Sequence, residues 1–158
     1  MEKLGVGIVG PGWVAGEHVK AYLKNPHTKV VAICGRDEAR TRETVKGWGI
    51  DCAIYTDYAE MMDNPDIDIV SICTPNDLHV EQAALAAKAG KNMYLEKPIA
   101  LDLEGLRKVR DAVRKSGVKT IVGFVLRWNP LFLTIRQLLE DDALGRIFYG
   151  EVDYFHGI

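Results

Sequence analysis

Residues 7–15, GIVGPGWVA, decide the fold of this chain. The apolar run from Lys3 to Val9 predicts a buried strand, and helical periodicity begins directly after the glycines. At such a junction Gly10 permits a tight turn, Gly12 lets a ligand approach the backbone, and Ala15 lets the helix pack closely. The exposed N-terminus of the helix attracts phosphate groups. The stretch therefore predicts a strand that turns at once into a phosphate-binding helix.

The remainder of the chain repeats this alternation of strand and helix. Predicted strands cover residues 3–9, 29–34, 53–55, 67–73, 92–96 and 119–124, and the predicted helices between them include 16–23, 37–48, 57–62, 80–87 and 103–113. Apolar strands that alternate with amphipathic helices are typical of a doubly wound parallel α/β sheet. At the first strand of such a sheet, the GxGxxA pattern predicts a Rossmann fold that binds a dinucleotide.

The pattern changes after about residue 124. We predict a dinucleotide-binding Rossmann domain in residues 1–124 and a second segment in 125–158. The second segment reads as a helix from Arg127 to about Glu140 and a strand from Ile147 to His156, the start of a truncated α+β domain. An unpaired apolar strand edge invites pairing with another chain, so we predict association or disorder at this strand.

Composition excludes several classes of protein. Basic and acidic residues number 20 and 22, and the net charge of −2 predicts no nucleic-acid partner. No apolar run reaches the length of about 18 residues that a membrane helix needs. The three cysteines, Cys34, Cys52 and Cys73, are too widely spaced for a metal or redox motif. We therefore expect a soluble cytoplasmic protein without a resident metal or a membrane partner.

The end of the second predicted strand bears on cofactor choice. NAD-binding proteins usually place a carboxylate there, whereas NADP-binding proteins use a small residue and an arginine. Gly35 and Arg36 occupy these positions and favour NADP over NAD. The next residue, Asp37, is open to two interpretations, a contact with the ribose or a helix cap, and the cap is favoured.

Two more loops lie at the predicted carboxyl edge of the sheet, where such folds bind ligands. Thr74, Pro75 and Asn76 follow the central strand and are predicted to contact the cofactor. For His79 a cofactor contact and a helix cap are equally open. His18 is predicted to be a packing histidine within the first helix.

The sequence Glu96-Lys97-Pro98 is the expected chemical centre. The Lys97 ammonium can hydrogen-bond a substrate hydroxyl or take part in proton transfer, with Glu96 to orient or neutralise it. The alternative interpretation is a surface ion pair beside a turn. A cis Lys97–Pro98 peptide bond is a further expectation, because cis bonds occur chiefly before proline.

Four segments together carry a family resemblance. GIVGPGWVAGEH, CTPNDLHVEQA, AGKNMYLEKP and GFVLRWNP, in this order, resemble the Gfo/Idh/MocA family, named for glucose-fructose oxidoreductase, inositol dehydrogenase and rhizopine catabolism. The resemblance covers essentially the whole chain, and EKP after an AGK turn is its most specific part. It implies hydride exchange between a nicotinamide and a secondary alcohol or carbonyl of a sugar, inositol or related polyol.

The resemblance also implies roles for individual residues. Lys97 matches the catalytic lysine that hydrogen-bonds the reacting oxygen, and Glu96 and Pro98 shape the nicotinamide side of the site. The implied cofactor contacts elsewhere are Gly10, Gly12, Trp13 and Val14 at the pyrophosphate, Gly35 and Arg36 at the ribose, Thr74, Pro75, Asn76 and His79 in the central loop, and Arg127 near the nicotinamide and substrate.

Members of this family are longer than this chain. Their second domain supplies an open antiparallel sheet, the substrate pocket, an Asp and His pair for proton transfer, and usually a dimer interface. The resemblance therefore implies that this chain is the cofactor-binding part of an enzyme, inactive or nearly so by itself, and a homo-oligomer in its full-length form. A non-catalytic dinucleotide-binding or sensing module is the alternative, and a methyltransferase that uses adenosylmethionine is a weaker one.

Overall fold

A parallel sheet of six strands organises the first part of the molecule. The structure is a computed structural model and describes residues 2–155. The strands are β1 (Leu4–Val9), β2 (Thr28–Cys34), β3 (Ala53–Tyr55), β4 (Ile69–Ile72), β5 (Asn92–Leu95) and β6 (Thr120–Val122). Their order is β3-β2-β1-β4-β5-β6, and each neighbouring pair is parallel. This topology confirms the predicted doubly wound α/β fold.

The helices begin and end largely where local signals predict. They are α1 (Trp13–Lys24), α2 (Glu38–Gly47), α3 (Tyr58–Met62), α4 (His79–Lys88), α5 (Leu103–Ser116) and α6 (Pro130–Glu140). Asp37, Asp57 and Asp102 cap α2, α3 and α5 by accepting hydrogen bonds from first-turn amides. Gly117 ends α5 with a positive φ of 73°. Across residues 2–155 no helix is both long and apolar enough to cross a membrane.

Alternate strand residues build two hydrophobic cores, one on each face of the sheet. Val6 and Ile8 of β1 pack with Val19 of α1 in the first core. Val70 of β4 and Ala83 of α4 belong to the second core. Because helices cover both faces, the central strands are buried on both sides, as their continuous apolar runs predict.

The apolar runs exceed the strands that they predict by one or two residues. Residues 67–73 are predicted as a strand, but β4 covers only Ile69–Ile72. Ile67 and Cys73 are nevertheless buried. The apolar run therefore indicates which residues are buried. The strand itself is shorter, because it extends only as far as its hydrogen bonds to neighbouring strands.

The chain divides into two compact units, Met1–Gly123 and Phe124–Ile158. The second unit contains a 3₁₀ turn, Val125–Trp128, followed by α6, whose first residue is Pro130. Asn129 caps α6 by accepting a hydrogen bond from the Leu131 amide at 2.9 Å. The helix thus begins three residues later than predicted. The assignment of residues 125–158 to a separate substrate domain stays a prediction.

The predicted strand from Ile147 to His156 is wrong for the part that the structure describes. Residues 147–155 form neither strand nor helix, and His156 lies outside the described residues. A strand needs a neighbour to satisfy its backbone hydrogen bonds, and the described part of this unit contains no other strand. The apolar residues here therefore supply no strand edge for association.

Candidate functional site

The switch point of the sheet lies between β1 and β4. From β1 the chain moves outward to β2 and β3, and it then returns to β4 on the other side of β1. Loops at the carboxyl ends of these strands diverge and leave a crevice, where open α/β sheets bind their ligands. The predicted loops after β1, β2, β4 and β5 all lie at this edge.

The glycine turn after β1 brings two backbone segments very close together. Gly10 has a φ of +83°, and a Cβ there would lie 2.8 Å from backbone atoms of Cys73 and Thr74. Only glycine satisfies both conditions. A Cβ on Gly12 would meet nothing within 4 Å, so the backbone there faces open space. Trp13, the first residue of α1, is strongly exposed.

A groove of about 850 Å³ runs along this edge from the glycine turn to α2 and α4. It brings together six of the predicted cofactor-binding residues: Gly10, Gly12, Gly35, Arg36, Thr74 and Pro75. The predicted residues Trp13, Val14, Asn76, His79, Glu96, Lys97 and Pro98 are outside its lining. A groove lined by a glycine turn and a helix N-terminus fits the adenosine and phosphate half of a dinucleotide.

The end of β2 has no space for a side chain. A Cβ on Gly35 would lie 2.2 Å from Oγ1 of Thr41 and 2.8 Å from the ring of Pro11. The Asp37 carboxylate accepts a hydrogen bond from the Arg40 amide at 2.9 Å, which confirms its role as a helix cap. Two exposed guanidinium groups, those of Arg36 and Arg40, border the groove here.

Sequence reasoning missed several residues that line the groove: Pro11, Arg40, Thr41, Thr44, Thr56, Tyr58, Asp77, Leu78 and Gln82. Arg40 and Thr41 could have been found, because they lie in the first turn of the helix that Asp37 caps. That turn points at the same edge as the strand before it. Tyr58 and Gln82 carry no sequence signal, since their places depend on how α3 and α4 pack.

Lys97 is the second residue after β5 and is exposed at the carboxyl edge. The Lys97–Pro98 peptide bond is cis, as the sequence suggests. Within residues 2–155 the Lys97 ammonium has neither a hydrogen bond nor an ion-pair partner. The alternative interpretation as a surface ion pair with Glu96 is therefore wrong.

The Glu96 carboxylate points away from the lysine ammonium, contrary to the predicted neutralising role. Its Oε1 lies 3.2 Å from Nε2 of His18, and its Oε2 accepts a weak hydrogen bond from the Lys97 amide at 3.3 Å. Glu96 is only 9% exposed. Glu96 lies at the end of β5, and its carboxylate faces His18 of α1. Its contact with Lys97 is to the backbone amide.

His18 is the centre of a partly buried polar cluster rather than a simple packing residue. Because a carboxylate can only accept, His18 Nε2 donates to Glu96, and Nδ1 then accepts from the Ser71 hydroxyl at 2.7 Å. The ring stands edge-on to Tyr94. Burial lowers the pKa of the His18 imidazole, and the neighbouring Glu96 carboxylate partly offsets this. Burial therefore favours the neutral form of the ring.

His79 is fully buried, and its contacts match neither of its two predicted roles, the cofactor contact and the helix cap. Its Nδ1 lies 2.7 Å from the carbonyl oxygen of Pro98, and its Nε2 lies 3.0 Å from that of Thr74. Both ring nitrogens face backbone carbonyl oxygens, and neither is open to a ligand. Because a neutral imidazole has one N–H, it donates a hydrogen bond to only one of these oxygens. His79 joins the loop after β4 to the loop after β5, and its predicted cofactor contact stays without support.

Arg127 lies in the second unit, in the 3₁₀ turn Val125–Trp128. Its guanidinium carbon is 5.6 Å from the centroid of the Phe124 ring, a cation–π distance. Its predicted contact with the nicotinamide and substrate stays a prediction. In the described part of the chain, no group of three or more His, Cys, Asp or Glu side chains could hold a metal ion.

Known proteins resemble this chain in both sequence and structure. Inositol 2-dehydrogenase of Rhizobium meliloti is 34% identical over 142 residues, which cover 89% of this chain and 42% of that protein. Levoglucosan dehydrogenase of Pseudarthrobacter phenanthrenivorans is 33% identical over 157 residues, which cover 93% and 40%. The chain thus spans about two fifths of the length of these relatives.

A solved structure shares the fold. The crystal structure of scyllo-inositol dehydrogenase from Lactobacillus casei, with bound NAD(H) and scyllo-inositol, matches with a TM-score of 0.84 and 28% identity. The match covers 91% of this chain and 43% of that one. The family model described as oxidoreductase family, NAD-binding Rossmann fold, matches residues 4–124. The chain therefore belongs to the Gfo/Idh/MocA oxidoreductase family and contains its NAD-binding Rossmann domain.

Proposed function

We propose that this chain is the cofactor-binding part of a dehydrogenase that exchanges hydride between NADP and a secondary alcohol or carbonyl of a sugar, inositol or related polyol. One observation carries the catalytic part of the proposal: the exposed Lys97 ammonium has no partner within residues 2–155, although both neighbouring residues are held by buried contacts. The similarity to an inositol dehydrogenase and a levoglucosan dehydrogenase supports the substrate class.

The residues at the carboxyl edge fit a dinucleotide. The open backbone at Gly12 and the N-terminus of α1 would hold the pyrophosphate, with Gly10, Trp13 and Val14 beside them. Thr74, Pro75 and Asn76 would contact the centre of the cofactor. Pro98 and Glu96 would border the nicotinamide, which accepts or donates the hydride when bound.

Lys97 would bind the reacting oxygen of the substrate. Its ammonium has three donors and no acceptor, so it would donate a hydrogen bond to the hydroxyl or carbonyl oxygen. That bond orients the carbon for hydride transfer and favours the negative charge that develops on the oxygen. The cytoplasmic location and the homo-oligomer expected from the sequence stay predictions.

The end of β2 supports NADP over NAD. A carboxylate at position 35, the usual ribose ligand for NAD, has no space beside Thr41, and the Asp37 carboxylate already caps α2. Arg36 and Arg40 border the same part of the groove. Two exposed guanidinium groups can pair with a 2′-phosphate, and position 35 offers no carboxylate to bind a ribose hydroxyl.

Cofactor binding gives a direct test of this preference. Titrated with each reduced cofactor, the chain should bind NADPH at least about tenfold more tightly than NADH, because charged hydrogen bonds contribute about 1.5–3 kcal/mol. Replacing both Arg36 and Arg40 with alanine should remove that difference. Arg42→Ala is the control, since Arg42 pairs with Glu38 on the same helix. Equal or tighter binding of NADH by the unaltered chain would contradict the preference.

Turnover tests the enzymatic proposal itself. With NADP and inositol or a sugar alcohol, the protein should generate nicotinamide absorbance, and Lys97→Ala should abolish most of it. The full-length protein is the appropriate sample if the chain alone is inactive. NADP binding without turnover of any polyol by the full-length protein would favour the non-catalytic alternative. Failure to bind either nicotinamide dinucleotide would refute both.

A further inference from the structure

Two histidines, the partly buried His18 and the fully buried His79, contact the residues on either side of Lys97. The Glu96 carboxylate before it lies 3.2 Å from Nε2 of His18. The Pro98 carbonyl oxygen after it lies 2.7 Å from Nδ1 of His79. Lys97 itself has no side-chain partner among the described residues, so the free ammonium lies between two fixed neighbours.

The histidines come from helices on opposite faces of the sheet. His18 belongs to α1, whose apolar residues pack in the core with Val6 and Ile8. His79 is the first residue of α4, whose Ala83 packs in the core on the other face. The tripeptide at the end of β5 is therefore held from both sides, which limits its movement across the plane of the sheet.

Each histidine is also tied to a second strand. His18 Nδ1 accepts from Ser71 of β4, and Ser71 is completely buried. His79 Nε2 lies 3.0 Å from the Thr74 carbonyl oxygen in the loop after β4. Both rings therefore lie between β4 or its loop and the end of β5, although a neutral His79 ring donates to only one of its two carbonyl neighbours.

We propose that His18 and His79 are positioning residues, which act through Glu96 and Pro98 to fix the backbone from which the Lys97 side chain extends toward the substrate. This inference rests on the proposed function, in which Lys97 binds the reacting oxygen beside the nicotinamide. A lysine with four rotatable bonds loses much freedom when it is oriented. If the backbone at the end of β5 is already fixed, Lys97 loses less conformational entropy when it binds the substrate.

Amide side chains can separate the two nitrogens of each ring. A glutamine places its NH₂ near the position of histidine Nε2, and an asparagine near that of Nδ1. His18→Gln should therefore keep the bond to Glu96, whereas His18→Asn should lose it. At position 79 the order is reversed: His79→Asn should keep the bond to Pro98, whereas His79→Gln should keep only the contact with Thr74.

The test measures Lys97 in the 158-residue chain. Lysines are reductively methylated with ¹³C, the Lys97 signal is assigned by its absence from Lys97→Arg, and NADPH or adenosine 2′,5′-bisphosphate is added. In the unaltered chain only NADPH, which carries the nicotinamide, should shift this signal. His18→Gln and His79→Asn should keep the shift. His18→Asn and His79→Gln should reduce it by about half or more, because the orienting bond is lost.

Two controls separate positioning from loss of structure. Affinity for adenosine 2′,5′-bisphosphate should change less than about twofold in all four variants, since the groove of the adenosine half is intact. His27→Ala, at an exposed histidine, should match the unaltered chain. Equal shifts in all variants would overturn this inference and leave the proposed function standing. Absence of an NADPH-dependent shift from the unaltered chain would overturn both.

Discussion

The imidazole of His18 and the carboxylate of Glu96, 78 residues apart in sequence, are joined by a partly buried hydrogen bond of 3.2 Å between Nε2 and Oε1. Helix α1, which starts at the glycine turn, is thereby connected to the residue before Lys97. The two sequence motifs of the chain, the glycine turn and EKP, are thus parts of one structural unit.

The first prediction concerns the pH dependence of stability. Burial lowers the pKa of His18 in the folded chain below its ordinary value of 6.5. As the pH falls through that value, His18 is therefore protonated first in the unfolded chain. His18 should therefore favour folding fully above that value, and its contribution should decline at lower pH by at most about 1.4 kcal/mol per pH unit. Urea unfolding measured from pH 7.5 to 5 should show a steeper decline for the unaltered chain than for His18→Gln. Parallel curves would contradict the buried, neutral state of His18.

The second prediction concerns the space at Gly35. Gly35→Ala places a Cβ 2.2 Å from Oγ1 of Thr41 and 2.8 Å from the Pro11 ring, which is too rigid to move aside. We expect a loss of about 1–3 kcal/mol in the free energy of unfolding, the usual cost of overpacking. Gly47→Ala is the matched control, because a Cβ at this end of α2 meets nothing within 4 Å. Two glycine variants of equal stability would show that the end of β2 can move.

The third prediction separates the function of Lys97 from stability. Its exposed side chain has no partner within residues 2–155, so Lys97→Ala should change the free energy of unfolding by less than about 0.5 kcal/mol. Glu96→Ala should cost more, because it leaves His18 Nε2 without its acceptor in a buried site. Urea unfolding of both variants at pH 7.5 provides the comparison. A large loss for Lys97→Ala would mean that its ammonium has a structural partner.

The fourth prediction concerns the thiol of Cys73. Burial raises its pKa to about 12, although the Ser71 hydroxyl partly opposes the shift. At pH 8 about one molecule in ten thousand would then carry the thiolate, the form that reacts with alkylating reagents. Iodoacetamide should label Cys73 in the folded chain far more slowly than in the urea-unfolded chain. Equal rates in both states, read by mass spectrometry of the peptides, would show that this thiol is accessible.

Local patterns predicted most of the Rossmann unit. Aspartate caps, glycine stops and apolar periodicity depend on neighbouring residues, so Asp37, Asp57 and Gly117 end or begin helices where the sequence indicates. The same reasoning was wrong for residues 147–155, because an apolar pattern does not reveal whether a partner strand is present.

The sequence by itself determined the order of strands and helices, the glycine turn at Gly10 and the place of Lys97 after β5, since each follows from short-range backbone geometry. Only the tertiary structure decided that Glu96 faces His18 instead of the Lys97 ammonium, and that His79 is enclosed between two carbonyl oxygens. These contacts join residues that are distant in sequence. They depend on the register of β4 against β5 and on helices packed on both faces of the sheet, which no local pattern encodes.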